Sequence, residues 1–161
     1  MKNLINTLLL LLPMVASSQI VYDTWTEKPI NDEFGDPTGE TAFVYFAEGQ
    51  FSNSATTGSE LIVKVVDYGS SIQMTLFEYG RLPSNFCYDG CIGKVSVKGS
   101  EGVVNRYEVY EHSDGTIVIN DKRSLYDVIK NGDGEELKFV INESDFSDYG
   151  RSRYQFTITA Q

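Results

Sequence analysis

Cys87 and Cys91 are the two cysteines of the sequence, and three residues separate them in a C-x-x-x-C segment. In an exported protein such a pair forms a local disulfide by default. Free thiols, a redox pair and a metal-binding pair remain alternatives. Redox motifs of the thioredoxin type, however, place two residues between the cysteines and begin a helix there, whereas a strand pattern follows Cys91. The sequence therefore predicts a disulfide that fixes the loop between Pro83 and Gly93.

Two acidic loops contain oxygen ligands of the kind that Ca²⁺ prefers. The candidates are Asp32 and Asp36 in the first loop, and Asn131, Asp133 and Glu135 in the second. A calcium-binding hand needs acids at alternate positions and a glutamate at the twelfth. Phe34 breaks the alternation in the first loop, and Asn142 occupies the twelfth position of the second. We therefore predict turns here, without a metal or cofactor.

His112 is the single histidine, and Ser113 and Asp114 follow it directly. Catalytic triads are assembled from distant chain positions, so this adjacency indicates an exposed turn residue. Paired carboxylates can hydrolyse glycans, but 23 Asp and Glu residues supply such pairs in any arrangement. We predict that the protein is not an enzyme. A carboxylate-dependent hydrolase acting on glycan or peptide remains the alternative.

The aromatic residues are numerous, with 10 Tyr, 9 Phe and 1 Trp. Strands favour aromatic residues, so most of them are expected in the core or in cross-strand pairs. Tyr79, Phe86 and Tyr88 lie in or near the longest loop, where exposure is expected. They are the candidate binding loop, either as a stacking platform for a sugar or as anchors in a protein interface.

The charge balance excludes one class of partner. The chain has 161 residues and a net charge of -10. Neutralising phosphates requires a basic surface, so a nucleic-acid ligand is not expected. The apolar fraction of 41% is too high for a disordered chain.

The first 18 residues have the pattern of a signal peptide. Lys2 precedes an apolar run at positions 8–12, Pro13 ends it, and small residues at 15–18 place cleavage before Gln19. A retained membrane anchor is the alternative, although the segment is too short to be typical of a spanning helix. We predict an exported protein, periplasmic or extracellular, with one domain at 19–161 and no membrane span after signal removal.

Alternating apolar and polar residues dominate the rest of the chain and predict about nine short strands. The first is expected at Ile20–Trp25, the mature N-terminus. Breakers such as Asp114-Gly115 separate the later ones. Residues 124–131 instead have apolar side chains at helical spacing and predict a short helix, with an irregular loop as the alternative. The fold class is therefore all-β, a single antiparallel sandwich or partly open barrel with one short helix.

Three stretches resemble a family of small exported or lipid-anchored proteins from Bacteroidetes-type bacteria, whose function is uncharacterised. They are the segments 32–39 (DEFGDPTG), 51–56 (FSNSAT) and 76–80 (LFEYG). The resemblance covers most of the mature chain and implies a compact β-rich domain in the cell envelope. It implies no catalytic residues. The expected function is a non-catalytic binding module with a protein or glycan ligand; a structural accessory subunit of an envelope assembly is a further alternative.

Overall fold

A computed structural model describes residues 20–161. The predicted signal peptide lies outside these residues. The all-β fold class with one short helix is confirmed. The strands are β1 (Thr26–Asn31), β2 (Pro37–Ser52), β3 (Ser59–Asp67), β4 (Ser71–Glu78), β5 (Leu82–Pro83), β6 (Cys91–Lys98), β7 (Val104–Glu111), β8 (Ile117–Asn120), β9 (Glu136–Asn142) and β10 (Arg153–Thr159). The helix α1 is Ser124–Lys130, and a short 3-10 helix, η1, follows at Glu143–Asp145.

Eight of the strands form a closed antiparallel barrel in the order β2, β10, β9, β6, β7, β8, β4 and β3. The ring closes because β3 pairs again with β2, from Phe43 opposite Asp67 to Phe51 opposite Ser59. Of the two predicted architectures the barrel is therefore the observed one, and it is closed rather than partly open. Closure pairs the edges that an open sheet would leave exposed.

The barrel interior is filled by side chains from alternate positions of each strand. In β2, for example, Tyr45, Ala47 and Phe51 are buried, whereas Glu48 and Gln50 are exposed. An eight-stranded barrel is just wide enough for side chains to fill its interior. Each large apolar side chain buried there contributes about 1.5–3 kcal/mol to the free energy of folding.

The two ends of the barrel are covered differently. At the helix end, the buried side chains of Leu125 and Ile129 attach α1 to the core. Lys130 forms an ion pair with the buried carboxylate of Asp67 near this end. The segment between β4 and β6 covers the opposite end, which we call the loop end. In residues 20–161, no helix is long and apolar enough to cross a membrane.

The predicted strand at Ile20–Trp25 is wrong, because the first strand is Thr26–Asn31. Thr26 pairs with Val44 of β2, but β10 occupies the same edge of β2 from Gly49 to Ser52. Before Thr26 this edge of β2 accepts a hydrogen bond from the Asp23 N–H, at the Phe46 carbonyl (2.8 Å), but residues 20–25 form no strand. Trp25 instead donates its indole N–H to the Thr159 carbonyl, at 2.8 Å.

The hairpin of β1 and the first part of β2 extends beyond the barrel. In residues 27–41 every side chain except Ile30 is exposed. We call residues 27–41 the projecting arm. Its tip carries Phe34, which is 81% exposed. An isolated two-stranded hairpin is at best marginally stable in water, so the arm depends on its continuity with the barrel through β2.

Candidate functional site

The loop end is covered by the segment from β5 to Cys91. Leu82 and Pro83 pair with β4, and the Ser84 N–H donates to the Leu76 carbonyl, at 2.8 Å. Gly115, in the turn between β7 and β8, supports the segment from below: a Cβ there would lie 2.0 Å from the Ser84 carbonyl oxygen. Its φ of +84° also favours glycine. The backbones of loop and barrel are thus in direct contact.

Cys87 and Cys91 form the predicted disulfide. Cys91 is the first residue of β6, so the bond joins the loop to a strand of the barrel. The carbonyl oxygen of Phe146, next to η1, lies 3.7 Å from each sulfur. The closed loop contains Tyr88, Asp89 and Gly90, and both of its ends are fixed.

A row of five aromatic rings lies beneath this loop. Successive ring centroids are 4.9–6.0 Å apart, which is the range of favourable aromatic pairs. The rings, in order, are Tyr79, Phe51, Tyr154, Phe86 and Phe146. The Tyr154 hydroxyl donates to the Glu78 carboxylate at 2.6 Å. Burial, reinforced by Glu78, raises the pKa of Tyr154 well above its usual value, so this hydroxyl remains protonated.

The three residues of the predicted binding loop differ in exposure and do not lie together. Tyr88 is 89% exposed and Tyr79 is 47% exposed, but Phe86 is only 8% exposed. Phe86 is buried because its ring packs between Tyr154 and Phe146. Phe51 and Tyr154 lie between Tyr79 and Phe86 in the row of rings. Tyr79, Phe86 and Tyr88 therefore do not form one exposed cluster.

Two other exposed apolar residues lie on the strands beside the loop that carries Tyr88. Ile92 and Tyr110 are paired across β6 and β7, and both are exposed. The Tyr110 hydroxyl approaches Gly90 so closely that a Cβ there would lie 2.4 Å from it. We call Tyr88, Ile92 and Tyr110 the tyrosine face. His112 packs edge-on against Tyr110, with ring centroids 5.0 Å apart, at the border of this face.

Glu111 is a buried carboxyl group directly beneath the disulfide loop. Its exposure is 0%, and its Oε1 accepts a hydrogen bond from the Phe86 N–H at 2.9 Å. Its Oε2 is buried without a hydrogen-bond partner. Burial raises the pKa of Glu111 to about 7, although hydrogen bonds from the backbones of Phe86 and Cys87 oppose the shift. This group therefore changes charge near neutral pH.

Glu111 is not among the candidate residues predicted from the sequence, although the sequence contains a signal for it. In the sequence, Tyr107 and Val109 alternate with Arg106, Glu108 and Tyr110, which is the pattern of a strand. Glu111 continues the same alternation, which places it on the inward face with Val109. A carboxyl group in line with core residues is expensive to bury without compensation. Such a residue is a candidate for a perturbed pKa and for function.

The first acidic loop forms the turn between β1 and β2. The Asp32 carboxylate accepts hydrogen bonds from the backbone N–H groups of Phe34 and Asp36, each at 2.9 Å. This is the pattern of an aspartate that stabilises its own turn. Asp32 and Asp36 thus have structural partners within the projecting arm.

The second acidic loop, with Asn131 and Asp133, connects α1 to β9. The Glu135 carboxylate there accepts two hydrogen bonds from Ser100, from its hydroxyl at 2.7 Å and its N–H at 2.6 Å. These bonds lower the pKa of Glu135. Within residues 20–161, one group of side chains is spaced closely enough to bind a metal ion. It consists of Cys87, Cys91 and Glu111. The sulfurs of that group are bonded to each other, and metal binding requires thiolates.

A shallow groove of about 730 Å³ lies on the outer surface of the barrel, across β2, β10, β9 and β6. Its charged lining residues are Glu48, Lys98 and Lys138. The groove therefore presents one carboxylate and two ammonium groups. These groups are not the pair of carboxylates that glycoside hydrolysis requires.

No protein-family model, curated protein or solved structure matches the chain, so the assignment of function depends on the geometry described above.

Proposed function

We propose that this protein is a non-catalytic binding module of the cell envelope or the extracellular space, and that the tyrosine face contacts its ligand. The observation that carries the proposal is the state of Tyr88. It is 89% exposed, yet it lies in a five-residue loop closed by a disulfide. Because the disulfide already constrains the backbone of this loop, immobilising the side chain in a complex costs little additional entropy.

The chemistry of the face suits a protein or a glycan. Tyrosine has an apolar ring with a polar hydroxyl, and it is enriched at the sites that dominate interface energies. The same ring can stack on the apolar face of a sugar. Asp89 beside Tyr88 adds a hydrogen-bond acceptor that is also exposed.

The test is the effect of Tyr88→Ala on ligand binding. The immobilised protein is incubated with an envelope extract and with a glycan array, and the dissociation constant of each retained ligand is then measured. We expect Tyr88→Ala to weaken binding at least about tenfold, as for an anchor residue whose truncation costs about 1.4 kcal/mol or more.

The matched control is Tyr68→Ala, at an exposed tyrosine in the turn between β3 and β4, near the opposite end of the barrel. This variant should bind as the wild type does. Equal binding by Tyr88→Ala and wild type would refute the tyrosine face as the contact surface.

The hydrolase alternative receives less support from the geometry. It calls for two convergent carboxylates at a concave surface. The groove on β2, β10, β9 and β6 presents Glu48 with two lysines. Glu111, the carboxyl group with a pKa suited to acid–base chemistry, is fully buried. The geometry therefore supports a binding module better than a hydrolase.

A second candidate function, a structural subunit of an envelope assembly, is favoured by the projecting arm. The arm exposes Phe34 at its tip and leaves the outer edge of β1 unpaired in the described chain. Exposed apolar groups and strand edges are the features by which chains join others. In an assembly, the partner would cover Phe34.

Phe34→Ser separates the two candidates. If the arm joins an assembly, this variant should shift from the high-mass fraction of an envelope extract to the monomer on size-exclusion chromatography, while Tyr88→Ala stays in that fraction. Thr38→Ser, elsewhere on the arm, is the control. Elution of wild-type protein as a monomer in the extract would exclude the subunit function.

A further inference from the structure

The disulfide and Glu111 form a compact group. Sγ of Cys87, Sγ of Cys91 and a carboxylate oxygen of Glu111 all lie within 4.8 Å of one another. Oε1 of Glu111 is fixed by the Phe86 N–H, whereas the buried Oε2 has no hydrogen-bond partner. A disulfide that only braces a loop has no need of a buried carboxyl group. The cost of burying Glu111 therefore calls for an explanation.

We propose that Cys87–Cys91 is an exchangeable disulfide that a dithiol reduces, and that Glu111 supplies the proton to the sulfur that leaves. This inference does not depend on the proposed binding function. It assigns a reaction to the same loop.

The reaction balances with a dithiol as the electron donor. One thiolate of the dithiol attacks one of the two sulfurs and forms a mixed disulfide, while the Cys87–Cys91 bond breaks. The sulfur that leaves takes the proton of the Glu111 carboxyl group. The second thiol of the dithiol then loses its proton to solvent and displaces the remaining cysteine as a thiolate, which solvent protonates. The dithiol is oxidised to a disulfide, and Cys87 and Cys91 are reduced to thiols.

Access and protonation are consistent with this chemistry. Both cysteines are partly exposed residues, and the reaction requires that a dithiol reach one of their sulfurs. Burial raises the pKa of Glu111 to about 7, so about half of these carboxyl groups are protonated at neutral pH. Two charged groups face it, Glu143 from η1 and Asp114 from the turn after β7, and both also favour the protonated form.

Reduction would remove the cross-link that closes the loop carrying Tyr88. The disulfide ties Cys87 to the first residue of β6, whereas Cys91 stays paired with β7. The reaction would therefore convert a constrained Tyr88 into a mobile one. The partner that this chemistry requires is a small or protein dithiol.

The test is the rate of reduction by dithiothreitol between pH 6 and 8, divided by the concentration of its thiolate. The wild-type rate should fall about tenfold over this range, because the protonated fraction of a group with a pKa of about 7 falls about tenfold. Glu111→Gln cannot donate a proton. It should react slowly at every pH, near the wild-type rate at pH 8.

Two controls isolate Glu111. Asp89→Asn makes the same chemical change at an exposed site of the loop, and His112→Gln removes a residue type that ordinarily titrates between pH 5 and 8. Both should keep the tenfold fall. A wild-type rate independent of pH would overturn the proposal. A fast, pH-independent rate in Glu111→Gln would also overturn it, since Glu111 would then act through its charge alone.

Discussion

Glu111→Gln is expected to abolish a pH-dependent destabilisation of the wild-type protein. As the pH rises from 4.5 to 7, the free energy of unfolding of the wild type should decrease by up to about 3 kcal/mol because of Glu111. Burial raises the pKa of Glu111 from its ordinary value of 4.5 to about 7 in the folded protein. Between these values the folded state binds more protons than the unfolded state. The free energy of unfolding therefore decreases with rising pH in this window.

The measurement is urea unfolding at half-unit intervals from pH 4.5 to 8. Other groups also titrate, so the informative quantity is the difference between variant and wild type at each pH. Glutamine retains an oxygen that can accept the Phe86 N–H, and any constant cost of the amide cancels in the slope. The stability of Glu111→Gln should rise relative to wild type until about pH 7 and then level off.

Asp89→Asn, at an exposed site of the same loop, is the control and should show no such divergence from wild type. A constant difference between Glu111→Gln and wild type would contradict the assignment of a raised pKa to this carboxyl group.

Phe86→Ala should lower the free energy of unfolding by about 3–5 kcal/mol, the usual cost of truncating a buried phenylalanine. Phe86 is 8% exposed and connects two parts of the aromatic row, Tyr154 at 5.3 Å and Phe146 at 4.9 Å. Its removal leaves a cavity under the disulfide loop. A loss of this size is a large share of the 5–15 kcal/mol that stabilises a typical domain.

Urea unfolding monitored by tyrosine and tryptophan fluorescence measures this loss as a lower midpoint at unchanged slope. Tyr88→Ala, two residues along the chain, is the matched control and should change stability by less than about 0.5 kcal/mol, since it is an exposed side chain. Similar losses of stability in the two variants would contradict the expectation that the buried ring of Phe86 stabilises the fold more than the exposed ring of Tyr88.

Much of the fold was predictable because alternation of apolar residues has a direct structural meaning. The strands of the barrel coincide with alternating runs, and α1 coincides with the helical spacing of Leu125 and Ile129. The choice between barrel and sandwich was not predictable. It depends on the second pairing of β2 with β3 and β10, and both architectures have the same local pattern.

The site was predictable in part. The disulfide follows from two cysteines near each other in a chain with a signal-peptide pattern. The burial of Phe86 does not, because it depends on Phe146 and Tyr154, which are 60 and 68 residues away in the sequence. Glu111 illustrates the opposite case. Its position two residues after Val109 indicated burial on the same face of the strand. Its contact with the Phe86 backbone could not be predicted, because it forms only when the loop closes over Glu111.

The projecting arm has a consequence for how the protein can vary. The ring is closed by residues 43–52 of β2, and the arm ends before them. Insertions or deletions at the tip of the arm therefore leave every pairing of the eight-stranded ring in place. The barrel and the aromatic row can stay constant while the arm changes in length and sequence, so that one scaffold could serve a series of different neighbours without refolding its core.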